Sequence, residues 1–203
     1  MNHDNVFPIF SKPLYFEDRE LFKFNDEQLE FIKESEYFHA ETNSISKSNQ
    51  ILESPKLSNL KKFVEYHIDR YTRRILDLEN HDYRFEICSS WMTKTKKGQH
   101  HNFHIHNTSM ISGIINVTPK NVTMFNREVR QPFPFFSFDY KDDDIKYSQR
   151  IHIRQDNPGC ILMFPSDVRH AVASHELEDD RYSISFNVFP RGNFYVHPEQ
   201  TIV

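Results

Sequence analysis

The sequence predicts a mainly β protein of the α+β kind, a jelly roll with N-terminal helices packed on one of its sheets. Two observations predict it. After Asn80, about eight short apolar or alternating runs appear, separated by turn chemistry. Before Asn80, two stretches carry apolar residues at three- and four-residue steps behind capping signals. Strands in that number behind a helical lead-in are most simply arranged as two packed sheets with helices over one outer face. The 203 residues are long enough for one well-buried domain. Within it, residues 1–80 form a helical lead-in with an N-terminal edge strand, 81–190 the jelly-roll core, and 191–203 a C-terminal tail.

Taken in order, Val6–Phe16 reads as short extended pieces broken by Pro8 and Pro13, which suit a sheet edge. Asn25 with Gln28 three residues on resembles a capping box, and Leu29, Phe31 and Ile32 begin an apolar stripe that predicts a helix to about Phe38. The polar stretch Glu41–Gln50 reads as a loop. Ser54 then caps, and Pro55 takes the first helical position. Leu57, Leu60, Val64, Ile68, Tyr71, Ile75 and Leu78 recur at helical steps, predicting a long amphipathic helix to about Leu78.

The strand runs follow: Tyr83–Thr93, Asn102–Asn107, Ile111–Val117, Val122–Asn126, Gln149–Ile153, Cys160–Phe164, Arg169–Ala173 and Tyr182–Phe189. Turn residues separate them at Pro119-Lys120-Asn121, Asp156-Asn157-Pro158-Gly159 and Pro165-Ser166-Asp167. Pro132–Phe136 and the acidic Lys141–Asp144 interrupt the series, and read as a loop or lid over a site.

Composition excludes some classes of function. A net charge of −4 provides no electrostatic footprint for nucleic acid or an anionic membrane. No apolar run reaches the length of a membrane span, and Met1-Asn2-His3-Asp4-Asn5 is no signal peptide. Cys88 and Cys160 both sit in strand-like runs without a disulfide framework, so reduced thiols and a cytoplasmic location are expected. Oligomeric state stays open, a homodimer included.

The chemistry concentrates in Gly98-Gln99-His100-His101-Asn102-Phe103-His104-Ile105-His106. Side chains alternate along a strand, so His104 and His106 share a face. That pair alone also suits a solvated strand. Joined by a distant third imidazole, His170 after the Pro165-Ser166-Asp167 turn, it becomes one face of a transition-metal shell with open positions opposite. His101 has the opposite parity and is expected at the surface. His100 shares the parity but lies a step further out. In Arg181-Tyr182-Ser183-Ile184-Ser185-Phe186-Asn187, Arg181, Ser183 and Ser185 share one face and Tyr182, Ile184 and Phe186 the other. If the apolar set lies between the sheets, the polar set faces a cavity or water. In a cavity, the guanidinium fork would grip a carboxylate.

Trp91, Gly98, His104-x-His106, Ser112-Gly113, Pro158-Gly159, Phe164-Pro165-Ser166, His170 and Arg181-x-Ser-x-Ser-Phe-Asn187 together resemble the iron(II)- and 2-oxoglutarate-dependent oxygenases, in particular the small type met in bacteriophage and marine bacterial genomes. The resemblance is strong over roughly residues 84–190 and implies a double-stranded β-helix. It also implies Fe(II) on His104, His106 and His170. Arg181, with Ser183, would hold the distal carboxylate of 2-oxoglutarate, and Asn187 would sit near that pocket. The reaction implied consumes O2, converts 2-oxoglutarate to succinate and hydroxylates a substrate that is a small molecule or a protein. Most of that superfamily has Asp or Glu where this chain has His106, so iron here would lack one negative charge. Halogenating relatives need that position vacant, which His106 fills. Where the resemblance leads to tyrosines after Ser-Gly, this chain has Ile114-Ile115-Asn116, and Asn116 would be a smaller substitute in binding the cosubstrate.

Two other readings stay open. A cupin-like three-histidine dioxygenase would use the same layout without a keto acid, but the residues after His106, Asn107-Thr108-Ser109-Met110-Ile111, lack the Glu that cupins usually supply. A non-catalytic jelly-roll binding or structural module would carry these histidines incidentally.

Overall fold

The computed structural model describes residues 12–76, 83–126, 150–194 and 201–202. The expected lid at Pro132–Phe136 and Lys141–Asp144, the Val6–Ser11 portion of the first extended piece, and Leu78 lie outside them.

The strands, in chain order, are β1 Tyr15–Glu17, β2 Tyr37–His39, β3 Ser44–Ser46, β4 Tyr83–Thr95, β5 His101–His104, β6 Ile111–Asn116, β7 Asn121–Asn126, β8 Arg150–Gln155, β9 Ile161–Pro165, β10 His170–Val172, β11 Arg181–Phe194 and β12 Thr201–Ile202. They form two antiparallel sheets. The larger runs β1-β9-β6-β11-β4-β3-β2, with β12 on β11, and the smaller runs β5-β10-β7-β8. This is a jelly roll, and each of the eight expected runs after Asn80 contributes a strand to it. β1 pairs with β9 at the sheet edge.

The helical lead-in departs from expectation in detail. Helix α1, Asp26–Glu34, starts on the expected capping box, with Asn25 and Gln28 each bonding the other's backbone. It stops short of Phe38. The Ser35 hydroxyl and N–H both donate to the Phe31 carbonyl, and the Tyr37 hydroxyl donates to that of Ile32. Tyr37–His39 and Ser44–Ser46 then pair as a hairpin that extends the large sheet beside β4, where the sequence reads as helix end and loop. Pro55 does open the next helical stretch, but as a 3-10 turn over Pro55–Leu57 without a side-chain bond from Ser54. Helix α2, Ser58–Arg70, follows and widens into a π turn over Tyr71–Ile75. There the Leu76 N–H reaches the Tyr71 carbonyl, and the fully buried Tyr71 ring directs its hydroxyl to the Pro13 carbonyl.

The main core lies between the helices and the outer face of the large sheet. Ile32, Leu57, Leu60, Val64 and Ile68 pack there with Met92, Ile115, Tyr182, Ile184 and Phe186. Each such fully buried side chain contributes about 1.5–3 kcal/mol of transfer free energy. Gly113 belongs to this face because a Cβ there would lie 2.1 Å from the Phe186 ring. Gly159 has φ +83° and lies so close to the Phe22 carbonyl that a Cβ would come within 1.9 Å of its oxygen. A smaller cluster, Ile114, Leu162 and Phe164 with Phe125, fills part of the space between the sheets.

The polar set of β11 does face a cavity, though the apolar set does not lie between the sheets. Tyr182, Ile184 and Phe186 face the helices, so the polar set Arg181, Ser183 and Ser185 faces the gap between the sheets. The helices cover the outer face of the large sheet, and that face takes the apolar parity.

Candidate metal centre and anion pocket

A cavity opens between the sheets, lined by His101, His104, His106 and His170 on one side and by Trp91, Thr93, Thr95, Arg181, Ser183 and Asn187 on the other. The small sheet supplies the histidines. His104 ends β5 and His170 begins β10, and the two are paired in register. His106 follows β5, held where its N–H donates to the Ser166 carbonyl. One nitrogen from each of His104, His106 and His170 lies within 4.8 Å of the others. His106 Nε2 and His170 Nε2 are 3.3 Å apart. Ligands about 2.1 Å from a metal and at right angles to each other stand about 3.0 Å apart, a spacing that the His106–His170 pair nearly has already.

Backbone carbonyls set the tautomers. His104 Nδ1 lies 2.8 Å from the Asn102 carbonyl and His170 Nδ1 2.9 Å from that of Val168. A carbonyl only accepts, so each Nδ1 carries the proton and each Nε2 keeps its lone pair. Burial, reinforced by His104 and His101, pushes His106 down to about 4. Burial, with His104 next, pushes His170 down to about 3. Both imidazoles are therefore neutral at pH 7, the form that binds metal. The Phe164 ring meets His170 edge-on at 4.6 Å and holds it in place.

His101 corrects an expectation. It lines the cavity and stacks on His104, with centroids 4.3 Å apart. Strand parity places it outward, but the β5–β10 pairing shifts register, matching His104 to His170 and His101 to Val172. Three steps along β5 therefore span two along β10. A bulge of this kind inserts one residue and reverses the alternation. His100 is exposed, as its position further out suggests.

The large sheet supplies the other wall. Arg181 is 5% exposed, and its hydrogen bond among the described residues goes to the Ala173 carbonyl. No carboxylate pairs with it among the described residues. Burial lowers it to about 10. A guanidinium has five N–H donors, so among the described residues most of this one's donors meet no partner, and they line the cavity. Thr95 and Thr93 are paired with Arg181 and Ser183 across β4 and β11, and both threonines are buried. The sequence reading passed over these two. Their alternation with Met92 and Lys94 was the available signal, but hydroxyls at strand spacing are too common to single out.

Asn187 lines the cavity and touches His106. Asn116 does not line it. Its amide donates to the Gln155 carbonyl and accepts from Asn121 in a fully buried cluster beyond the cavity. Expected near the cosubstrate, it shares the parity of Ser112 and Ile114 but lies at the hairpin end of β6, apart from the residues that line the cavity.

Residues 89–187 match the family described as "Putative 2OG-Fe(II) oxygenase". No curated protein sequence matches the chain. Among solved structures, an oxidoreductase of the 2OG-Fe(II) oxygenase family from Burkholderia pseudomallei is similar at 10% identity, with 82% of this chain and 79% of that one covered and a TM-score of 0.52. HygX from Streptomyces hygroscopicus, solved with nickel and 2-oxoglutarate, is similar at 10% identity, over 79% and 76%, with a TM-score of 0.52. The α-ketoglutarate-dependent epimerase SnoN of nogalamycin biosynthesis is similar at 8% identity, over 81% and 70%, with a TM-score of 0.55. At these identities the likeness is one of fold, and the family match carries the assignment. Residues 89–187, which hold all the histidines of the cluster together with Arg181, match the 2OG-Fe(II) oxygenase family over just under half of the chain.

Proposed function

We propose that the chain hydroxylates an organic substrate, with His104, His106 and His170 holding Fe(II) and Arg181 and Ser183 holding the far carboxylate of 2-oxoglutarate. The observation that carries this reading is a buried guanidinium, without a carboxylate partner among the described residues, in the same cavity as three clustered imidazoles. A buried charge is costly unless paired, and a dicarboxylate entering beside the histidines would supply the pair. The donor set fits: three imidazoles suit divalent iron and leave positions open for a chelating keto acid and O2.

When bound, iron and 2-oxoglutarate supply the oxidation, in which O2 is consumed, the keto acid becomes succinate and CO2, and a C–H bond becomes C–OH. The chain supplies position and surroundings. Backbone carbonyls keep the Nε2 lone pairs of His104 and His170 turned inward. Arg181 and Ser183 would hold the cosubstrate's far carboxylate in the cavity that the histidines also line. Phe164, Ile114 and Trp91 line the remaining wall and limit water.

Anaerobic addition of Fe(II) and then 2-oxoglutarate to the purified protein tests the reading. The expected result is a weak visible charge-transfer band that is missing in Arg181→Ala at the same concentrations. Iron binding without the band would favour a three-histidine dioxygenase that uses no keto acid. No iron binding would leave a jelly-roll module without this chemistry.

A further inference from the structure

His104 and His170 have their outer nitrogens anchored by backbone carbonyls, and His106 does not. Its Nδ1 instead faces the side-chain amide of Asn187, 3.4 Å away across the gap between the sheets. We propose that Asn187 is the positioning residue for His106, and that its carboxamide turns its oxygen toward His106 when a metal is held. The proposal rests on the three-histidine metal reading above.

Donor and acceptor matching carries it. His106 Nε2 is the atom that approaches His170 Nε2. A neutral imidazole has one N–H, so a metal-binding Nε2 requires the proton on Nδ1. That N–H needs an acceptor, and the amide nitrogen of Asn187 is a donor. Turning the carboxamide over resolves this without moving any other group. Oδ1 then accepts from His106 Nδ1–H and from the Ser89 hydroxyl, the present partner of Nδ2 at 3.2 Å. Nδ2 donates to Ser112 Oγ, 2.9 Å from the present Oδ1. The Ser112 hydrogen is free to go to Ser166 Oγ at 2.8 Å. All the contacts survive, and each donor meets an acceptor. The two ends of a carboxamide are nearly the same size, so the change is one of hydrogen bonding alone. Asn187 is 7% exposed, so water offers little competition for these bonds.

The geometry also explains why an asparagine stands here. Ser112 of β6, backed by Ser166 just after β9, lies at one end of the amide, and His106 lies at the other together with Ser89 of β4. Asparagine both accepts and donates, so it can face the imidazole with oxygen and Ser112 with nitrogen. Second-sphere partners of metal-bound histidines typically alter metal affinity by about 10–100-fold.

The test uses Ni(II) binding to the full chain, measured by calorimetry with no keto acid present. Asn187→Ala is expected to weaken Ni(II) by about 10–100-fold, and Asn187→Asp to stay within about threefold of the parent, since a carboxylate can accept from His106 and from both serines. Wild-type affinity in Asn187→Ala would overturn the proposal, and so would equal losses in Ala and Asp variants of unchanged thermal midpoint. If the variants fail to fold, long-range proton–nitrogen spectra of the Zn(II)-loaded wild type decide instead. His106 must carry its proton on Nδ1, and a proton on Nε2 overturns the assignment. A wild-type chain that binds neither ion removes the metal reading, and with it this inference. Tight wild-type binding that Asn187 does not influence removes the inference alone.

Discussion

The rings of His101 and His104 stack with their planes 22° apart, although the two residues have opposite strand parity. The bulge that turns His101 inward places a flat neighbour against the outer face of a candidate metal ligand. His101→Phe, which keeps a flat ring, is expected to leave Fe(II) affinity within about threefold, whereas His101→Ala should weaken it toward the tenfold loss seen for second-sphere contacts. Equal affinities in Ala and wild type would return His101 to the role of a bystander.

His170 is the most buried imidazole of the cluster, at 3% exposure, and its ring packs against those of both His104 and His106. His170→Ala should abolish stoichiometric iron binding and turnover while the chain stays folded by circular dichroism. Full activity in that variant would sink the metal assignment.

Arg181 should separate stability from function. In Arg181→Met the affinity for 2-oxoglutarate should fall at least about 30-fold, the low end of the cost of truncating a buried charge pair. Ni(II) affinity without the keto acid should hardly change. Because the free protein buries this charge without a carboxylate partner among the described residues, its urea stability should rise in the variant by about 1 kcal/mol or more. A loss of stability in the metal-free, keto-acid-free state would mean that Arg181 is mainly structural.

Three neutral imidazoles leave a bound dication unneutralised, and 2-oxoglutarate brings two negative charges. Iron and the keto acid should therefore each tighten the other, by about 5–150-fold, and by the same factor in both directions. Placing a carboxylate among the ligands, as His106→Asp, should tighten Ni(II) in the absence of the keto acid and reduce that coupling. Calorimetry in both orders of addition would show it, and independent binding in the wild type would contradict it.

Acid should weaken the metal-free fold in a defined window. Burial holds His67 and His106 at about 4 and His170 at about 3 in the folded protein, against about 6.5 in an unfolded chain. Between those values the unfolded state binds more protons, so stability rises with pH. The contribution is complete above about pH 6.5 and is lost as pH falls toward 4 and then 3. His67 is fully buried, its Nδ1 takes the Tyr15 hydroxyl, and its Nε2 has no partner among the described residues. Urea midpoints at pH 7.5 and pH 4.5 should differ clearly, and equal midpoints would contradict these depressed values.

Much of this protein was legible before its structure. Capping at Asn25, alternation in the eight runs after Asn80 and the His104-x-His106 spacing are local patterns, and a local pattern needs only a few neighbouring residues to be read. The hairpin β2–β3 escaped because its strands have three residues each, too few to show a period. Asn116 escaped for a different reason: which end of β6 borders the cavity depends on where β7 and β8 close.

By itself, then, the sequence determined the residue types of the site, the periods of its strands and the division into helical lead-in and β core, all of which follow from backbone geometry acting over a few residues. Tertiary structure alone decided that helices take the apolar face of β11, so that Arg181 turns inward. It alone decided that a bulge against β10 brings His101 to His104, and that Asn187 reaches His106 from the opposite sheet. Each of these depends on pairing between segments far apart in the chain. The period of one strand carries no information about the register of its partner.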